Sequence, residues 1–167
     1  MLFRSLTGQL KLASGTAAAP SLAFNADQDT GLYWSSDGYL NFTNNGTFSG
    51  YVGPSGELLV RGDVTAYGSS TQPSDIRLKK NIEKIDNALS KVLSLNGYTF
   101  DRIDQDRRQT GVIAQEVREV LPEAVVDLKD ENKTLTVAYG NMVGMLIEAI
   151  KELNAKVEDL QNQLADK

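Results

Sequence analysis

The chain has 167 residues and a net charge of −5, and it contains neither cysteine nor histidine. This composition excludes disulfides, thiolate zinc sites and any catalytic triad built on histidine. The modest acidic charge argues against a nucleic-acid surface, no apolar run predicts membrane insertion, and no metal or cofactor is expected.

Residues 1–73 have the composition of short strands and turns. They hold ten of the 14 glycines, three of the four prolines and only eight charged residues. The pattern predicts strands over 21–24, 32–34, 39–43, 47–52, 57–60 and 64–67, with a turn over 25–31. Such short strands bury too little in one chain, so we expect three chains to intertwine with their apolar sides facing each other. A monomeric β-sandwich is the alternative.

Residues 74–167 carry the other 31 charges and alternate helices with strands. We expect a helix over 86–95, a strand over 98–100, a charged loop to residue 109 and a buried strand over 111–114. A short helix over 115–121 then ends at Pro122, and the segments 124–128 and 134–138 form a hairpin. The predicted fold class is α+β, with domains at 1–73 and 74–167.

From about residue 139 to residue 167, apolar residues recur with heptad spacing and predict a self-associating coiled coil. β-branched residues at position a with leucine at d favour two strands, so the heptads alone do not fix the number of chains. A long helix packed on its own domain is the alternative. After Tyr139, the a and d positions are Val143, Leu146, Ile150, Leu153, Val157, Leu160 and Leu164.

Several segments together resemble a known family: SDIRLKKNI from residue 74, GYTF from 97, TGVIAQEV from 110 and the terminal heptads. Their order resembles the intramolecular chaperone auto-processing domain at the C-terminus of phage tailspikes, endosialidases and tail fibres. A related module occurs in membrane-anchored eukaryotic transcription factors. The resemblance implies a homotrimer in the virion tail, assembled in the host cytoplasm, in which 74–167 aligns three chains before the β-rich fibre segment folds. The fibre would attach to a host surface glycan or other receptor.

The resemblance also implies self-cleavage between Pro73 and Ser74, with Ser74 as nucleophile and Lys79 as general base. Without histidine, a lysine is the natural base for a serine hydroxyl, although a separation of five residues requires an intervening turn. The expected enzyme is a single-turnover serine autoprotease. The residues implied to support the motif are Asp75, Arg77, Asn81, Gln115 and Glu116.

Two other functions compete with this one. The first is a trimeric receptor-binding fibre tip that retains its chaperone domain without cutting. The second is a dimeric coiled-coil protein with no phage role. The aromatic residues between positions 33 and 51 are expected to be trimer core rather than stacking platforms for sugars.

Overall fold

The computed structural model describes residues 10–104, 106–130 and 132–166. The chain divides into two compact units, Met1–Pro73 and Ser74–Lys167. Among the described residues, no helix is both long and apolar enough to cross a membrane.

The described residues of the first unit form a five-stranded antiparallel sheet whose strands lie in sequence order. A two-residue turn joins β3 to β4, and in it Asn45 and Gly46 adopt φ angles of 49° and 68°. Asn-Gly is the dipeptide that tolerates this left-handed conformation best, and its twist matches that of a hairpin. The strands are β1 (Leu22–Phe24), β2 (Asp27–Trp34), β3 (Leu40–Asn44), β4 (Thr47–Val52) and β5 (Leu58–Val60).

Five of the six strands predicted for this unit are present, and two predictions are wrong. Residues 27–31, predicted as turn, belong to β2. Pairing overrides their turn composition, since the Asp29 carbonyl accepts a hydrogen bond from Gly46 N. Residues 64–67 form no strand. The described residues form a single sheet in this unit and not the two sheets of a sandwich.

Over its described residues, the second unit combines three helices with two small hairpins, so the chain is α+β with a long C-terminal helix. The hairpins pair β6 with β7 and β8 with β9. Short 3-10 turns occupy Ile76–Leu78, Pro122–Ala124 and Tyr139–Asn141. The elements are α1 (Ala88–Leu93), β6 (Tyr98–Asp101), β7 (Arg108–Gly111), α2 (Ala114–Val120), β8 (Val125–Asp127), β9 (Leu135–Val137) and α3 (Met142–Ala165).

An apolar core lies among the three helices of this unit. Met145 on α3 and Val117 on α2 are fully buried, and the small Ala88 and Ala149 bring α1 and α3 close together. Burying one such large side chain is worth about 1.5–3 kcal/mol. The core residues are Ala88, Val117, Leu121, Ala124, Met145 and Ala149.

The predicted helices and the β8–β9 hairpin are confirmed, although Glu131 in the hairpin loop lies outside the described residues. The buried strand expected at 111–114 is wrong, because the strand is Arg108–Gly111. Charge did not prevent pairing, since Arg108 lies opposite Asp101 and its Nη1 contacts the Asp101 carboxylate at 3.0 Å. Cross-strand pairs of opposite charge stabilise an exposed hairpin.

The long helix begins at Met142, three residues later than the heptads predict. Tyr139, expected at position d, lies instead in the 3-10 turn Tyr139–Asn141. Its hydroxyl accepts a hydrogen bond from Val112 N at 3.4 Å, which holds this residue against the body of the unit.

Candidate active site

The segment that opens the second unit is a short turn built by Asp75. The Asp75 carboxylate accepts a hydrogen bond from Arg77 N at 2.8 Å and so caps the 3-10 turn Ile76–Leu78. Aspartate is one of the preferred residues at such a cap because its side chain satisfies an otherwise unpaired backbone N–H. Leu78 N and Lys79 N then donate to the carbonyls of Asp75 and Ile76, and the chain reverses.

Arg77 fixes the same carboxylate from the side. Its Nε donates to both Asp75 oxygens at 3.0 and 3.1 Å, and its Nη2 donates at 2.7 Å. These hydrogen bonds hold the pKa of Asp75 below its ordinary value. An exposed ion pair contributes little to stability, so its effect here is geometric. Asp75 and Arg77 together define the shape of the turn.

The turn brings Ser74 and Lys79 together. Lys79 Nζ donates to Ser74 Oγ at 2.8 Å, across the five-residue separation that no regular helix or strand would close. Both residues are exposed in the single chain. A neutral lysine amine at this position is within reach of the hydroxyl proton, which is the geometry required of a general base.

The remaining motif residues lie apart from this contact. Asn81 adopts a left-handed φ of 52° just after the turn. Glu116, on α2, accepts a hydrogen bond from the Tyr98 hydroxyl at 2.6 Å, which raises the pKa of Tyr98 above its ordinary value. Gln115 is exposed on the same helix. The structure therefore brings Ser74, Asp75, Arg77 and Lys79 together and places Glu116 with Tyr98.

Helix α3 presents two different apolar stripes. Met145 and Ala149 are buried against the unit. At about 100° per residue, the heptad residues lie on a stripe roughly a quarter-turn away from these two. That stripe, the seam, is between 43% and 70% exposed along its whole length. The seam consists of Val143, Leu146, Ile150, Leu153, Val157, Leu160 and Leu164.

Sequence reasoning missed the residue that joins α3 to α1. Glu152, one position before the seam residue Leu153, accepts hydrogen bonds from Ala88 N at 2.8 Å and Leu89 N at 2.9 Å. It supplies the cap that α1 lacks locally, since Asn87 makes no capping side-chain bond. A cap from 63 residues away leaves no signal in the local sequence.

Comparison with known proteins agrees with the order of the motifs. Residues 74–126 match the family model described as chaperone of endosialidase. The chain is 35% identical over 164 residues to the long tail fiber protein Gp37 of Enterobacteria phage K3, covering 90% of this chain and 12% of that protein. The corresponding protein of Enterobacteria phage T2 is 35% identical over 150 residues, covering 83% of this chain and 11% of that protein.

A relative outside the phages is also similar. Myelin regulatory factor homolog 1 of Caenorhabditis elegans is 32% identical over 154 residues, covering 84% of this chain and 16% of that protein. The chain thus spans between 11% and 16% of the length of these three relatives. These matches confirm the resemblance inferred from SDIRLKKNI and AQEV: residues 74–126 match the chaperone-of-endosialidase family, in a chain similar to phage long tail fibre proteins.

Proposed function

We propose that residues 74–167 are a trimerisation chaperone of a phage tail fibre, which aligns three chains and then cuts itself from residues 1–73. The observation that carries the cutting step is the hydrogen bond from Lys79 Nζ to Ser74 Oγ at 2.8 Å. Ser74 is also the first residue of the family match and of the second unit. The contact between the proposed nucleophile and its base therefore lies directly after Pro73, the last residue of the first unit. The assembled fibre would be a component of the virion tail.

The reaction follows from the position of Ser74 at the bond to be cut. Neutral Lys79 accepts the hydroxyl proton while Ser74 Oγ attacks the carbonyl carbon of Pro73. The Pro73–Ser74 amide bond breaks, the departing Ser74 nitrogen takes a proton from the Lys79 ammonium, and an ester joins Pro73 to Oγ. Water then hydrolyses the ester, which leaves a Pro73 carboxylate and a free Ser74 amine. The substrate is the chain itself, so no binding pocket is needed.

The seam of α3 supports the association step. Seven apolar side chains along 24 helical residues remain exposed in one chain, although the same helix buries Met145 and Ala149. Exposing such a stripe to water is unfavourable, and matching stripes on other copies cover it by knobs-into-holes packing. One apolar stripe of α3 therefore packs in the core of its own unit, and the seam packs against α3 of the other chains.

Three copies are favoured over two by the width of the stripe near the start of α3. Ile147, at position e, is 48% exposed beside Val143, Leu146 and Ile150. A two-stranded coil covers mainly a and d, whereas the wider apolar band matches the larger contact made by a third helix. Light scattering on the 18.2 kDa chain should give three copies. A dimer would support the coiled-coil interaction protein instead.

Intact mass spectrometry tests the cutting step. Purified wild-type chain is incubated and its mass followed, with Ser74→Ala as the matched control. Cleavage should yield one fragment ending at Pro73 and one beginning at Ser74, while Ser74→Ala stays whole and keeps its oligomeric mass. A wild-type trimer that never produces a Ser74 N-terminus would eliminate the autoprotease and leave the non-cutting fibre tip.

A further inference from the structure

We propose that one face of the five-stranded sheet in the first unit is an interface that packs against the same face of other copies of this chain. The inference rests on the proposed homotrimer and adds a second contact surface to it. The apolar sheet face is defined by exposed side chains from all five strands: Leu22, Trp34, Leu40, Val52, Leu58 and Val60.

Strand register places these residues on one side of the sheet. Leu40 lies opposite both Trp34 and Val52, and Val52 lies opposite Leu58. Directly opposed residues in antiparallel strands project to the same side, and residues two apart on a strand do so too. Leu22 joins the set because it lies opposite Leu32, two residues before Trp34.

The other side of the sheet is already occupied. Asn41 and Thr43, which alternate with Leu40 and Phe42 along β3, are only 3% exposed. Thr43 Oγ1 donates to the Ala17 carbonyl at 2.9 Å, and Asn41 Nδ2 donates to Ser35 Oγ at 2.7 Å. Ala17, which precedes β1, and Ser35, which follows β2, thus contact this side of the sheet.

The described part of the first unit has no apolar core of its own. Its buried side chains are the polar Asn41 and Thr43, and the buried apolar residues among the described ones all belong to the second unit. By contrast, Trp34 and Leu40 are each 50% exposed and Leu58 is 65% exposed. Because burial of apolar surface is the main favourable contribution to folding, this sheet needs a surface against its apolar face.

Two features favour copies of this chain over a foreign protein. None of the six residues is charged, so identical faces meet without like-charge repulsion. At about 4.8 Å between strands and 3.3 Å per residue, the face measures roughly 20 Å by 15 Å, well below the ~800 Å² per partner of a standard interface. So small a face binds weakly alone, but copies joined through α3 meet it at high effective concentration.

Trp34 reports on this contact because it is the only tryptophan in the sequence. The 167-residue chain is studied with Ser74→Ala so that both units stay joined. We expect trimeric mass, a blue-shifted Trp34 emission and protection from acrylamide quenching. Leu153→Asp should remove the trimer and the protection together.

Leu22 and Ala23 provide a matched pair, since both are exposed on β1 and project to opposite sides. Leu22→Lys should retain trimeric mass through α3 but lose the protection of Trp34, whereas Ala23→Lys and Leu22→Met should keep it. A trimer whose Trp34 is freely quenched, or equal behaviour of the two lysine variants, would overturn this interface and leave the homotrimer intact. A monomer would overturn both proposals.

Discussion

The two units of this chain bury apolar surface in different ways. The second unit surrounds Met145 and Val117 with its own helices, whereas the first unit buries Asn41 and Thr43 and leaves a sheet face of leucine, valine and tryptophan exposed. A domain with its own core can fold from a single chain, but a lone sheet with one uncovered face is marginal in water. Under the proposed function, the second unit would fold first and then gather the copies whose sheet faces cover one another.

The largest effect should come from Leu153→Asp, which places a charge in the seam of every chain. Burying an unpaired carboxylate is strongly unfavourable, so the trimer should be lost. The first unit should then fail to fold while the helices of the second unit remain. Light scattering and protease resistance of residues 10–73 measure the two effects.

Ala155→Asp is the control, because Ala155 lies on α3 away from the seam and is exposed. It should assemble normally. A first unit that folds fully in monomeric Leu153→Asp would show that the chaperone role is wrong.

Substitution of Lys79 should abolish cutting without changing the fold of either unit. Lys79→Ala leaves the Ser74 hydroxyl without a base. Lys79→Arg keeps the positive charge, but a guanidinium stays protonated and cannot accept the proton. Intact mass should show whole chains for both variants, whereas the wild-type chain should be cut.

Lys80→Ala is the comparison, since Lys79 and not Lys80 supplies the contact to Ser74 Oγ. It should cut at the wild-type rate. Restored cutting in Lys79→Arg would mean that the residue acts as a charge or a hydrogen-bond donor and not as a base.

Met145→Ala tests whether the second unit depends on its own core. Met145 is fully buried, so its truncation should cost about 2–5 kcal/mol of unfolding free energy. Ile103→Ala, at a fully exposed position of the same unit, should change stability by no more than about 0.5 kcal/mol. Chemical denaturation followed by circular dichroism gives both values, and equal losses would contradict the assigned core.

A smaller effect is expected from Glu152→Ala, which leaves the N–H groups of Ala88 and Leu89 without their acceptor. Leaving such groups unsatisfied costs about 1–3 kcal/mol. Glu158→Ala, which removes only an exposed acceptor for Asn154, should cost less. Hydrogen exchange of the Ala88 and Leu89 amides locates the change; unaltered exchange at both would exclude Glu152 as the cap of α1.

The sequence predicted the parts of the fold that depend on local pattern. Short segments bounded by turn residues identified β3 and β4, and Pro122 ended α2 as expected. Two predictions were wrong because strand pairing with distant residues outweighed polar local composition. Asp27–Thr30 belongs to β2 and Arg108 belongs to β7. At the candidate site, Ser74 and Lys79 came from motif order, whereas the capping role of Asp75 required coordinates. The capping role of Glu152 could not be predicted, because its hydrogen-bond partners lie more than 60 residues away in the sequence.

The turn that joins Ser74 to Lys79 has a consequence for timing. All of its hydrogen bonds lie within six consecutive residues. Contacts this local form in microseconds or less, far sooner than the long-range association of three chains. A newly made chain would therefore hold nucleophile and base together before it meets its copies. Under the proposed order of assembly before cutting, proximity of the dyad cannot be the slow step. The delay would then have to come from surroundings that only the completed assembly supplies to an otherwise solvated lysine.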